Sequence, residues 1–206
     1  MIHDISPPVS SKTAVFPGDT PMSREVLLDM KKGDGLTLST LRATVHLGAH
    51  ADGPNHYGVD ARPIDEQPLD FYIGPCQVIE ARATPGERLR PEDLLELPRE
   101  SRVLLKTGSW PDTTVFGNEF NGLTVELVDH LASAGVVTIG IDTPSVDLAA
   151  SKDLEAHRAI LKHDIAIIEC LRLDGIEAGV YELIALPLKL VGFDASPVRA
   201  VLRTLG

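Results

Sequence analysis

A chain of 206 residues, 43% hydrophobic and 24% charged, has the make-up of a soluble globular protein and the length for one sizeable core. Its 30 acidic residues against 19 basic ones, a formal charge of -11, argue against a nucleic-acid backbone or an anionic membrane surface as partner. No run approaches the roughly 20 apolar residues that span a bilayer, and the opening Met1-Ile-His-Asp-Ile-Ser lacks the basic-then-apolar pattern of a secretory signal.

In chain order, the first predicted element is Leu36–Val45. Its apolar residues alternate, with a change of phase near Thr40, which predicts an antiparallel strand with a bulge. The strand is expected to end at His46 and to turn through Gly48, so that His50, Asp52 and His56 converge from a loop. Residues 53–75 are rich in glycine and proline, an irregular stretch of the kind that serves function more often than disorder. Four apolar, β-branched runs follow at intervals: Cys76–Ala81, Val103–Lys106, Val136–Ile141 and Ile165–Leu171. Each is short and bounded by turn residues, which suits buried strands. Cys76 and Cys170 lie inside these runs and read as buried thiols, so a reducing cytoplasm is the simplest compartment. Helical patterns lie between the strands. Pro91–Glu96 predicts a short helix, and Val125–Ala134 a longer one with Thr124 as cap and Gly135 as stop. Asp153–Leu161 predicts another, packed through Leu154, Ile160 and Leu161. Strands interleaved with helices, without linker or repeat, predict one mixed α/β domain over residues 1–206.

Chemistry concentrates in His46-Leu-Gly-Ala-His50-Ala-Asp52-Gly-Pro-Asn-His56, where three histidines and an aspartate share one bent segment. Neutral imidazole and carboxylate are the ligands that zinc or manganese prefers. A helix is excluded by Gly48, Gly53 and Pro54, which leaves a metal site or a structural loop. His157, on the predicted Asp153–Leu161 helix, adds a further candidate. Glu169 interrupts an apolar strand, where it is either paired, metal-bound or turned to solvent at the strand's end. Asp142, just past another strand, is a turn cap or a catalytic group. A serine nucleophile has no support: there is no Gly-x-Ser-x-Gly elbow, and Ser109 stands in Thr107-Gly-Ser-Trp without a supporting pattern. Trp110, the only tryptophan, reads as a core or surface anchor, with a substrate contact as the alternative. His3, His130 and His163 read as structural or surface residues.

The segment resembles the His-x-Gly-(Thr/Ala)-His-x-Asp-x-Pro-x-His signature of the metal-dependent cyclase-like hydrolases. Phe16-Pro-Gly-Asp-Thr-Pro, Gly140-Ile-Asp-Thr-Pro-Ser-Val-Asp and Ser151-Lys-Asp-Leu-Glu-Ala-His-Arg resemble, within that family, the bacterial kynurenine formamidases, or arylformamidases. The resemblance spans essentially the whole chain. It implies a mixed-sheet α/β domain of the swivelling β/β/α (cyclase-like) type, usually a homodimer. It implies two zinc ions per subunit, with manganese as the other metal. His46, His50 and Asp52 would hold one ion, and Asp52 would bridge to a second held also by His157 and Glu169. His56 would carry the proton, and Phe16 would contact substrate. The implied reaction is hydrolysis of N-formyl-L-kynurenine to L-kynurenine and formate in tryptophan degradation, with a metal-bound hydroxide as nucleophile. Another cyclase-like hydrolase acting on a cyclic amide such as isatin is the alternative. A structural metal fits poorly, because structural zinc sites are usually cysteine-rich. Two positions depart from the family pattern. Phe16 replaces a tryptophan, keeping a ring face but losing area and the indole N–H. Gly53 stands where alanine is frequent, which reads as a small change in a loop.

Overall fold

The four apolar runs pair side by side at the centre of one nine-stranded sheet. The computed structural model describes residues 1–205. Its strands are, in chain order, β1 (Ile2–Asp4), β2 (Ser23–Leu28), β3 (Leu38–Arg42), β4 (His50–Asp52), β5 (Ile73–Glu80), β6 (Arg88–Leu89) and β7 (Arg102–Lys106). Then come β8 (Gly122–Leu123), β9 (Thr138–Ile141), β10 (Ala166–Glu169), β11 (Gly179–Ile184), β12 (Ala195–Pro197) and β13 (Val201–Thr204). The two α-helices are α1 (Val125–Ser133) and α2 (Glu155–Lys162). The large sheet runs β1-β13-β11-β5-β7-β9-β10-β4-β12. Strands β5, β7, β9 and β10 are mutually parallel, and antiparallel strands complete both sides. The mixed α/β expectation therefore holds.

Parallel strands need cover on both faces. On one face Val103, Leu105, Ile139 and Ile167 pack with Leu127 and Leu131 of α1 and Ile160 of α2. On the other, Leu104 and Ile168 pack with Ile5, Ile64, Tyr72 and Leu202. Successive residues of β7 alternate between the two cores, as the two-residue strand period requires. Gly140 keeps β9 close to this packing, since a Cβ there would lie 2.4 Å from Leu104 Cδ2 and 2.8 Å from Leu171 Cδ1.

Helix α1 begins at its predicted cap, where the Thr124 hydroxyl accepts the Leu127 N–H at 3.2 Å. Helix α2 begins at Glu155, not Asp153, because Leu154 is left-handed at φ 48, ψ 52. Asp147 takes over as its cap, accepting the N–H groups of Ala156 (3.2 Å) and His157 (3.1 Å). The pattern at Pro91–Glu96 yields one 3-10 turn, Pro91–Asp93, after which Leu94 is extended. The strand predicted over Leu36–Val45 is shorter, stopping at Arg42. Its bulge sits on the partner strand, between Val26 and Leu28, not near Thr40. Together β2 and β3 form a separate hairpin in which every strand residue is exposed. Among the described residues no helix is long and apolar enough to cross a membrane.

Candidate metal centre

Beyond β3 the chain bends through Val45 and His46, and Gly48 (φ 59) turns it into β4. His50 and Asp52 therefore lie on a buried strand and not on the predicted loop; only His56 sits on a turn, the 3-10 segment Pro54–His56. Strand β4 runs antiparallel between β10 and β12, with Glu169 opposite His50 and Ile167 opposite Asp52. The two-residue period puts His50, Asp52 and Glu169 on the face covered by α2 and sends Ala51 to the opposite core. Helix α2 supplies His157 from above that face. Sequence-distant groups thus meet because two short strands are in register.

The three imidazoles of His46, His50 and His157 share one arrangement. Each has one ring nitrogen tied outward and the other turned to the carboxylates within. His46 Nε2 lies 3.0 Å from Asp194, while its Nδ1 is 3.1 Å from Asp52 Oδ1. His50 Nδ1 donates to the Gly48 carbonyl at 2.8 Å, and its Nε2 lies 3.4 Å from both Asp52 and Glu169. His157 Nδ1 lies 2.8 Å from Asp147, with Nε2 3.7 Å from Asp52 Oδ2 and 3.9 Å from Glu169 Oε1. Outward anchoring by a carboxylate or carbonyl is what orients a metal-ligating histidine.

The inner atoms lack ordinary partners. His50 Nε2 and both oxygens of Asp52 are buried without a hydrogen bond, although Asp52 is only 1% exposed. Leaving a carboxylate so placed is costly unless a cation compensates it. Donor atoms of His50, Asp52 and Glu169 lie within 4.8 Å of one another, as do those of His46, Asp52 and His56. A donor set of imidazole nitrogens and carboxylate oxygens suits a divalent ion, so these residues fit the metal the sequence implies. The electrostatics agree. Burial opposes charge on Asp52, yet the facing imidazoles of His157, His46 and His50 hold its carboxyl well below the usual range. Burial likewise opposes a cation at His157, but Asp147, then Asp52 and Glu169, outweigh it and raise this imidazole to about 10. The centre demands positive charge.

His56 differs from the other three. Its Nδ1 lies 3.6 Å from Asp194, its ring is tilted against His46 at 4.3 Å between centroids, and its side chain is 37% exposed. Burial, opposed by the charge on Asp52, holds it below the ordinary imidazole range, so it is neutral near pH 7. Asp194, which sequence reading passed over, thus reaches both His46 and His56. Gly53 explains how. Its N–H donates to the Asp194 carbonyl at 2.7 Å. An added Cβ would lie 2.8 Å from the Ile64 backbone nitrogen and 3.2 Å from that carbonyl. Glycine here is a packing requirement, not the small loop change the sequence suggested.

His46, His50, His56, His157 and Glu169 line one cavity of about 620 Å³. Phe16 reaches the same cavity, so all the predicted site residues but the deeper-lying Asp52 border it. Trp110, Phe116 and Phe120 line it as well, and so does Cys170, beside Glu169 in a left-handed conformation (φ 57). Trp110 had only a minor sequence signal, its uniqueness; Phe116 and Phe120 had none. Asp147 stood within a family block, but its pairing with His157 depends on where α2 starts. Asp142 lies away from the cavity lining and accepts hydrogen bonds from Thr107 and Gly108.

Fold and site together define an α/β protein in which a histidine–carboxylate cluster suited to a divalent ion lines a cavity that also carries aromatic side chains. The Cyclase family model matches residues 3–148, and the chain belongs to that family. It is 45% identical over 207 residues to the kynurenine formamidase of Bordetella avium (strain 197N), an alignment covering 100% of this chain and 99% of the relative. Among solved structures it is similar to a potential metal-dependent hydrolase with cyclase activity (TM-score 0.83, 26% identity, 98% of this chain and 96% of that one). It also shares the fold of isatin hydrolase A from Labrenzia aggregata (TM-score 0.81, 21% identity, 98% and 93% covered).

Proposed function

We propose that the protein is a kynurenine formamidase, a hydrolase that cleaves the linear amide of N-formyl-L-kynurenine to L-kynurenine and formate in the kynurenine pathway. The observation that carries this reading is identity of 45% to a kynurenine formamidase along the entire chain. The histidine–carboxylate centre supports it chemically. A divalent ion bound there would supply an activated water at neutral pH and polarise the formyl carbonyl.

This chain's residues divide the remaining work. His46, His50 and Asp52 would hold one ion, and His157 and Glu169 would hold a second. Asp52 suits the bridge, because Oδ1 faces His46 and His50 while Oδ2 faces His157. Zinc is the proposed metal, with manganese the other member of the same ligand preference. His56 is the proton carrier. Neutral, part-exposed and steered by Asp194, it takes a proton from the attacking water and returns it to the departing aniline nitrogen. That nitrogen needs the proton, since an anilide anion is a poor leaving group. Phe16 offers a ring face to the aryl group from the cavity rim. The similarity to isatin hydrolase A is at 21% identity and supports a shared fold alone, so the cyclic-amide alternative gains no observation of its own.

We propose further a cytoplasmic homodimer, in which a second copy covers the exposed β2–β3 hairpin. The test of the activity is direct. Zinc-loaded protein mixed with N-formyl-L-kynurenine should produce the absorbance of kynurenine, and chelation should abolish it while the circular dichroism stays native. No turnover in a folded, metal-loaded sample overturns the assignment.

A further inference from the structure

We infer that the loop from Thr107 to Asn121 is an aryl-recognition device, in which Trp110, together with Phe116 of the same loop, makes the ring contact that Phe16 supplies only in part. The inference rests on the formamidase reading and adds residues that determine its specificity. The cavity lining combines histidines and Glu169 with four aromatic rings, those of Phe16, Trp110, Phe116 and Phe120. The phenyl rings are built as a column. Phe16 meets Phe116 edge to face at 5.5 Å and 81°, and Phe116 meets Phe120 at 6.0 Å and 83°. Phe120 is fully buried, so the column has a fixed foot, while Phe16 at its top is 59% exposed. A half-open phenyl ring gives less contact than an indole held against the wall.

Trp110 is held in that way. Its indole N–H donates to the Val115 carbonyl at 2.9 Å, which spends the polar edge inside the loop and leaves the ring for apolar contact. The base of the loop is clamped. The Asp142 carboxylate accepts the Thr107 N–H (3.0 Å), the Thr107 hydroxyl (2.6 Å) and the Gly108 N–H (2.9 Å). Ser109 Oγ accepts the Asn121 N–H at 3.0 Å, and the Asn121 amide donates to the carbonyls of Thr84 (2.7 Å) and Glu87 (3.0 Å). The loop is therefore closed on itself and tied to the body, and a preformed wall costs less ordering on binding. Asp142 is a positioning residue: it holds the turn that carries Trp110 and touches no reacting atom.

The experiment compares zinc-loaded wild type with Trp110→Ala, Trp110→Phe, Phe116→Ala and Asp142→Asn. For Trp110→Ala, KM for N-formyl-L-kynurenine and the Kd of the product L-kynurenine should each rise about tenfold, while kcat falls no more than about threefold. Trp110→Phe should recover most of that loss, and Phe116→Ala should shift KM in the same direction by a smaller factor. Asp142→Asn should raise KM more than it lowers kcat, a split that general destabilisation does not produce. Because Trp110 is the only tryptophan, L-kynurenine should also quench the wild-type fluorescence saturably, with the same Kd. Wild-type turnover with KM and Kd unchanged in both Trp110→Ala and Phe116→Ala, or with emission indifferent to saturating L-kynurenine, overturns the aryl-recognition role alone. Absence of wild-type turnover overturns the formamidase reading and this inference with it.

Discussion

Strand β4 and the β2–β3 hairpin invert the usual rule in opposite directions. In β4 a histidine and an aspartate are buried one strand in from the edge of the large sheet. In the hairpin, Val26, Leu27, Leu28, Leu38 and Leu41 are exposed to solvent. Buried charge and exposed apolar surface are both unfavourable alone. On the reading proposed above, each region is completed by something the chain itself does not contain. For β4 the missing component is positive charge, because the surrounding imidazoles already present their inner nitrogens to Asp52 and Glu169. For the hairpin it is apolar cover, because a lone two-stranded ribbon is marginal in water. The two are joined by a few residues: Thr44, two before His46, donates its N–H to the Thr20 carbonyl at 3.0 Å, tying the root of the hairpin to the cavity rim near Phe16.

The largest effect is expected at β4. Asp52→Asn keeps the shape of the carboxylate proposed as the bridge but removes its charge, and activity should fall by roughly a thousandfold or more, with metal content reduced. Atomic absorption on the purified variant reads the metal directly; a full complement with wild-type turnover would refute the bridging role. His56→Ala should fall by about a hundredfold to ten-thousandfold while keeping its metal. Unimpaired turnover with metal bound would remove His56 from proton transfer. Smaller again is Asp194→Asn, which loosens the outward anchor of His46 and the steering of His56. Its metal affinity should drop about 10- to 100-fold, measured by competition with a chromogenic chelator. Gly53→Ala should move the same quantity in the same direction, because the added methyl pushes against the Asp194 carbonyl and the Ile64 nitrogen.

The contrast between the two regions also marks what a sequence discloses. The four central strands were legible because a parallel strand buried on both faces must be apolar nearly throughout, and Val103–Leu105 and Ile165–Ile168 are. The residues of the candidate metal site stand out in the sequence as residue types at a spacing, helped by a family signature. Their placement on a strand does not, since Gly48 and Gly53-Pro54 look like loop punctuation whatever lies between them. Only pairing with β10 and β12 makes His50–Asp52 a strand, and pairing is a non-local fact. Asp194 was hidden for the same reason: it reaches His46 across 148 positions of sequence. Strand β2 escaped because its partner β3 and its own bulge at Val26–Leu28 blur the alternation, and no core imposes a phase on an exposed ribbon.

The smallest expected effect on turnover belongs to the hairpin. Leu41 is 64% exposed and pairs with Arg24 across the ribbon. Leu41→Lys places a second cation beside Arg24 on that exposed surface without touching the ladder hydrogen bonds. If a second copy covers that surface, the wild-type protein sediments as a dimer and the variant shifts toward monomer, with the dimer Kd raised at least about tenfold. A wild-type monomer at micromolar concentration breaks the proposal outright. The consequence for catalysis then decides how independent the two regions are. Cover of an exposed ribbon should change stability far more than rate, so turnover per site should stay within about threefold. A larger loss on dissociation, with metal retained, would mean that the tie from Thr44 to Thr20 carries strain from the hairpin into the cavity rim. The two inverted regions would then be one device: the partner that buries the apolar ribbon would also set the position of Phe16 over the buried charge.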